Sequence, residues 1–124
     1  MQTPLVLLAP FPFDSRFFTP LRAALGDRRV LTPDPECTGD PDLDILADQV
    51  VAGLDAEGVD RAVVGGVSMG GYVALNLLRR HPQRLAGLVL IDTRATADTA
   101  TARAGRLAVA ERADRGEGPD PEAT

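Results

Sequence analysis

The stretch Ala62–Pro82, AVVGGVSMGGYVALNLLRRHP, sets a single serine between glycines, after one apolar run and before another. Gly66-Val67-Ser68-Met69-Gly70 fits the pattern G-x-S-x-G. Ala62 to Val64 is a short apolar run expected to be a strand, and Tyr72 to Arg80 is expected to be a helix. A reversal this tight leaves no room for side chains two residues either side of the serine, and glycine stands at both positions. The reading is a strained turn that lifts the Ser68 hydroxyl clear at the C-terminal edge of a sheet. The first N–H groups of the following helix then point at whatever the serine attacks, where they favour developing negative charge.

The pattern continues outward on both sides. Pro4 to Leu8 reads as a buried strand closed by Ala9-Pro10-Phe11-Pro12. Asp14 or Ser15 can cap a helix running to Leu25, ended by Gly26. Arg29 to Thr32 reads as a second strand, stopped by PDPECTGDPD, which is dense in turn residues. Asp40 is the expected N-cap of the next helix, with Pro41 at its first position. Leu43, Leu46, Ala47, Val50 and Leu54 recur at helical spacing and share one face. Gly58 ends that helix. Leu85 to Ile91 is the fourth strand, beyond the Pro82 stop. Strands that are continuous apolar runs, alternating with helices, predict an α/β protein with a parallel sheet covered on both faces.

After Asp92 the sequence turns polar, Ala-rich and helical, with Leu107 and Val109 as its only sizeable apolar residues. The expected organisation is a core over 1–94, the start of a cap or lid helix over 95–115, and a loop or disordered tail over 116–124.

Composition narrows the classes. The chain has 124 residues, is 44% hydrophobic and 25% charged, and carries a net charge of −5. That is the profile of one soluble globular domain, and the acidic balance argues against nucleic acid or an anionic membrane as partner. All 13 basic residues are Arg. The lone Cys37 allows no internal disulfide. No basic leader or long apolar run opens the sequence, so the expected location is cytoplasmic. Neither a metal-ligand cluster nor a dinucleotide glycine pattern is present, so no metal and no cofactor is expected.

With LVLLAPFPFDSRFF at one strand end and GGVSMGGYVALNLLRRHPQRLAGLVLIDTRA at the other, the sequence resembles the N-terminal part of the α/β-hydrolase superfamily. It is most similar to small bacterial esterases and enol-lactonase-like hydrolases. The resemblance implies a three-layer sandwich around a central parallel sheet, incomplete here at about four strands in the spatial order second, first, third, fourth, with the ligand crevice where the chain winds in opposite directions from the first and third strands. It implies Ser68 as nucleophile and the backbone N–H groups of Phe11 and Met69 as the oxyanion hole. It also implies acyl transfer from a small ester-like or lactone substrate to water. Two departures stand out: Ala9 and Pro10 replace the usual His-Gly, and DPECTGDPDLD replaces the family's glycine-rich acid-arginine loop. Phe11 keeps its N–H, and Pro12 is expected to hold it extended.

A serine hydroxyl needs a positioned base. The sequence has one histidine, His81, expected at the far end of the helix that begins at the elbow, about 15 Å away. Asp92, at the end of the fourth strand, is the candidate acid. Three readings stay open: a shortened serine hydrolase lacking its histidine and usual acid, a half-enzyme completed by a partner chain, or a non-catalytic binding module. The first is preferred, with low activity for the chain alone. An open sheet edge is expected to favour self-association or a complementing chain.

Overall fold

The computed structural model describes residues 2–36 and 42–118. The elements in chain order are β1 (Leu5–Leu8), a 3₁₀ turn (Ser15–Phe18), α1 (Thr19–Leu25), β2 (Val30–Leu31), α2 (Leu43–Ala56), β3 (Ala62–Val67), α3 (Met69–Arg80), a second 3₁₀ turn (Pro82–Arg84), β4 (Leu85–Ile91) and α4 (Ala100–Asp114). All strand pairs are parallel, in the order β2-β1-β3-β4. This is the expected α/β-hydrolase-type sheet.

Local chemistry sets the boundaries. The Asp14 carboxylate accepts from the Arg16 N–H and opens the first 3₁₀ turn. The helix expected from there to Leu25 is thus a 3₁₀ turn followed by a short α-helix. Gly26 (φ 61°) and Gly58 (φ 68°) close α1 and α2 in the left-handed region, which costs glycine little. The cap of α2 differs from the expectation. Asp42, not Asp40, is the N-cap, accepting from the Asp44 N–H at 2.7 Å. Asp40 and Pro41 lie outside the described residues, as do Cys37 and positions 119–124 of the expected tail.

The core forms where α2 and α3 cover the sheet. Val6, Leu8, Val64, Leu46, Val50, Leu54, Val73 and Leu77 are buried in a single cluster. The apolar face of α2 is buried over all but its first turn. Leu46, Ala47, Val50 and Leu54 are buried, but Leu43, in the first turn, is 39% exposed. Leu7 leaves β1 on the opposite side from Val6 and Leu8 and is buried outside that cluster, as is Phe18.

β4 forms one edge of the sheet, with Val89, Leu90 and Ile91 all exposed. The polar sequence after Asp92 does form a helix, α4, and none of its residues is buried. Arg106 ties it to α3 and to the loop that precedes α4: its guanidinium lies 3.2 Å from the Tyr72 hydroxyl and 2.8 Å from the Asp98 carboxylate. Among the described residues, no helix is long and apolar enough to cross a membrane.

Candidate active site

β3 runs on to Val67, three residues beyond the expected Val64, and α3 starts at Met69 rather than Tyr72. Only Ser68 separates them, so it takes the whole reversal at φ 53° and ψ −111°. A non-glycine residue at positive φ marks local strain. Ser68 is held from two directions. Its N–H donates to Ile91 O at 2.9 Å, and its carbonyl accepts the Thr93 hydroxyl at 2.8 Å.

The glycines around it are required by close backbone approach. A Cβ on Gly66 would meet Gly70 O at 2.3 Å, a collision across the turn, though with the backbone of α3 rather than with a second side chain. A Cβ on Gly70 would meet Leu8 O at 2.1 Å, so this glycine also lets α3 approach the end of β1. Gly71, which the sequence pattern does not single out, would meet the Thr93 side chain at 2.5 Å. The turn is therefore locked to β1 on one side and to the segment after β4 on the other.

The loop after β1 brings Phe11 to the same edge. Phe11 is not held extended by Pro12 alone. It sits in a turn closed by the Phe13 N–H donating to Pro10 O at 2.8 Å, and the Phe11–Pro12 peptide is cis. Neither the Phe11 N–H nor the Met69 N–H has a hydrogen-bond partner among the described residues. Both residues line one open cavity of about 230 Å³, between the β1 and β2 loops and the start of α3. Its apolar wall includes Leu8, Phe13, Leu46 and Val73. Ser68 is half-buried at the neighbouring turn and is not part of that lining.

Asp14, Asp34 and Glu36 also line this cavity. The Arg16 guanidinium, hydrogen-bonded to Asp14, lowers that carboxyl to about 2, so it is ionised throughout the neutral range. Asp34 accepts the Ser15 N–H at 2.8 Å, joining the β2 loop to the β1 loop.

Asp92 follows Ile91, which pairs with Val67, so it lies beside Ser68 at the strand ends. It is exposed and has φ 49°. His81 is placed elsewhere. It caps the C-terminal end of α3, on the order of 18 Å from the elbow by helical rise. Its Nε2 lies 2.7 Å from Asp48 Oδ1 on α2. Arg80, and then His81, hold the Asp48 carboxyl at about 2. The structure thus groups Ser68, Met69, Phe11 and Asp92 at one edge and leaves His81 in an ion-pair cluster at the other.

Thr93 is the residue that sequence reasoning missed. Its hydrogen bond to Ser68 spans 25 positions, and no local pattern announces it.

A model of the alpha/beta hydrolase family matches residues 5–123. The chain superposes on a thermophilic esterase from Thermogutta terrifontis with a TM-score of 0.88 and 35% identity, covering 94% of this chain and 46% of that one. It also superposes on the enol-lactonase from Burkholderia xenovorans, with a TM-score of 0.78 and 25% identity, covering 94% and 47%. Over 99 residues it is 40% identical to the dihydrolipoyllysine-residue acetyltransferase component of the acetoin cleaving system of Pseudomonas putida, covering 72% of this chain and 26% of that protein. The chain therefore spans less than half the length of each of these relatives.

Proposed function

The chain belongs to the alpha/beta hydrolase family, and from that premise we propose that Ser68 is the nucleophile of a serine hydrolase acting on ester-like or lactone carbonyls. The observation that carries this reading is the Ser68 backbone, at φ 53° between β3 and α3. A capping serine at an ordinary strand–helix turn has no need of that conformation; a hydroxyl presented above the sheet edge does.

In the proposed reaction Ser68 Oγ attacks the carbonyl carbon. The carbonyl oxygen takes up the negative charge and is met by the N–H groups of Phe11 and Met69, both free of other partners among the described residues. The leaving alcohol departs with a proton, and water then cleaves the acyl-serine. Each stage needs a base near Ser68, and His81 is engaged with Asp48 at the other end of α3. We infer that the base comes from polypeptide outside these 124 residues, seated along the exposed edge of β4 beside Asp92. Asp92 is the candidate acid on the described chain.

The test is turnover of p-nitrophenyl acetate by the 124-residue chain, with Ser68→Ala and His81→Ala in parallel. Losing a triad member costs roughly 10⁴ to 10⁶ in kcat, so the chain alone should work barely above background and His81→Ala should change nothing. A polypeptide supplying later strands and a histidine should raise the rate, and Ser68→Ala should abolish that gain. Hydrolase-level turnover by the chain alone that is lost in His81→Ala would overturn the assignment of the base.

A further inference from the structure

The cavity beside the free N–H groups has a chemical bias that the fold does not impose. It is apolar where Phe11, Phe13, Leu46 and Val73 line it. Among the described residues its charged lining is Asp14, Asp34 and Glu36, with no Arg. Arg16, whose side chain is 88% exposed, is bound to Asp14 and its charge is also felt by Asp34, while Arg22 bonds the Thr32 hydroxyl further back on the same segment. Asp34 and Glu36, on the loop after β2, have no ion-pair partner among the described residues.

The volume sets a size. A cavity of about 150 Å³ lined by apolar side chains accepts a benzene ring, and drug-sized ligands need roughly 300 Å³ or more. At about 230 Å³, this cavity suits a single ring or a short aliphatic chain.

The geometry points to a substrate class: a small apolar group next to the reacting carbonyl, ending in a neutral or cationic substituent, with carboxylate-terminated substrates disfavoured. This rests on the serine-hydrolase reading for the placement of the carbonyl, at the N–H groups of Phe11 and Met69. The far end of the group then reaches the Asp34 and Glu36 loop. An anion there meets the carboxylates of Asp34 and Glu36, neither in an ion pair among the described residues although Asp34 feels the charge of Arg16, and a cation is attracted to them.

Binding tests this without requiring turnover. Three matched probes, 4-(aminomethyl)benzamide, 4-methylbenzamide and 4-carboxybenzamide, are titrated into the isotopically labelled 124-residue chain and followed by NMR at moderate salt. The Phe11 and Met69 amides and the Leu46 and Val73 methyls should shift. The cationic probe should bind about fivefold or more tighter than the anionic one, with the neutral probe between. Glu36→Gln should narrow that ratio, and Asp34→Asn with Glu36→Gln should bring it to within about twofold. If the double variant fails to fold, Glu36→Gln and added salt, which screens exposed charge, give the same comparison. Equal or tighter binding of the anionic probe, or shifts confined to other surfaces, would overturn the proposal. Ser68→Ala should keep the order of the three probes. A kept order with no serine-dependent hydrolysis by the completed enzyme would sink the hydrolase reading and leave the charge preference standing.

Discussion

Thr93 donates its hydroxyl to the carbonyl of Ser68 at 2.8 Å, tying the segment after β4 to the strained turn between β3 and α3. The same side chain fills the space that makes Gly71 necessary. Thr93 is thus a positioning residue for the candidate nucleophile, acting through backbone and contact rather than on substrate. Thr93→Val keeps the shape and removes the donor. It should lower stability by about 1 kcal/mol, the ordinary net value of one hydrogen bond. Thr93→Ser keeps the donor and should restore most of that loss. Urea unfolding of the three proteins checks this, and a Ser variant no better than Val would show that the methyl, not the hydroxyl, holds the turn.

Two glycine-to-alanine changes should move stability in opposite directions. At Gly70 the new Cβ would lie 2.1 Å from Leu8 O, a backbone atom that cannot swing aside. Gly70→Ala should cost about 3 kcal/mol or more, since β1 and α3 must separate. Gly53 sits inside α2 with nothing within 4 Å of its Cβ position. Gly53→Ala should stabilise by about 0.5–1 kcal/mol through helix propensity. Paired denaturation curves measure both. A mild effect at Gly70 would mean that the elbow does not approach β1 this closely.

The contrast between these glycines shows what could be read in advance. The elbow was legible because glycine stands two residues either side of Ser68 and the crowding at Gly66 is local in sequence, whereas Gly70 is crowded by Leu8 of β1. Alternating apolar runs predict a parallel sheet, and its strand order came with the family resemblance. Leu43 shares the face of Leu46, Val50 and Leu54 and is nonetheless 39% exposed at the first turn of α2, because periodicity assigns a face without fixing how far along the helix the neighbouring layer covers it. Asp42 replaced Asp40 as cap because PDPECTGDPD offers several carboxylates, and only the position of the first helical turn selects one. The bonds Thr93–Ser68, Asp48–His81 and Asp34–Ser15 join residues 25, 33 and 19 positions apart, so no window of sequence contains them.

The Asp48 cluster gives a pH signature. Arg80 and His81 hold the Asp48 carboxyl at about 2 in the folded chain, against an ordinary 3.8. The folded state therefore binds that proton less tightly than the unfolded one. The stability it contributes is complete above about pH 4 and is lost as pH falls towards 2. Asp14, lowered to about 2 by Arg16, titrates in the same window and the same direction. Asp48→Asn removes only the Asp48 share. Urea midpoints should show the variant below wild type at pH 5 and the gap closing by about pH 2.5. A gap independent of pH would mean that packing between α2 and α3, not charge, is what the substitution disturbs.

Ser68 itself should show a conflict between stability and presentation of its hydroxyl. At φ 53° and ψ −111° a Cβ is disfavoured, whatever the side chain carries beyond it. Ser68→Ala keeps the Cβ and therefore the strain. Because the hydroxyl caps nothing in α3, this change should leave stability within about 0.5 kcal/mol of wild type. Ser68→Gly relieves the strain, worth about 1–3 kcal/mol, against about 0.5–1 kcal/mol for the added freedom of the unfolded chain. The expected net gain is about 1 kcal/mol. Thermal and urea unfolding of the three proteins decide it: stabilisation by Gly with no change on Ala locates the strain in the backbone. Equal effects from both substitutions would remove the strain argument, and with it the observation on which the nucleophile assignment rests.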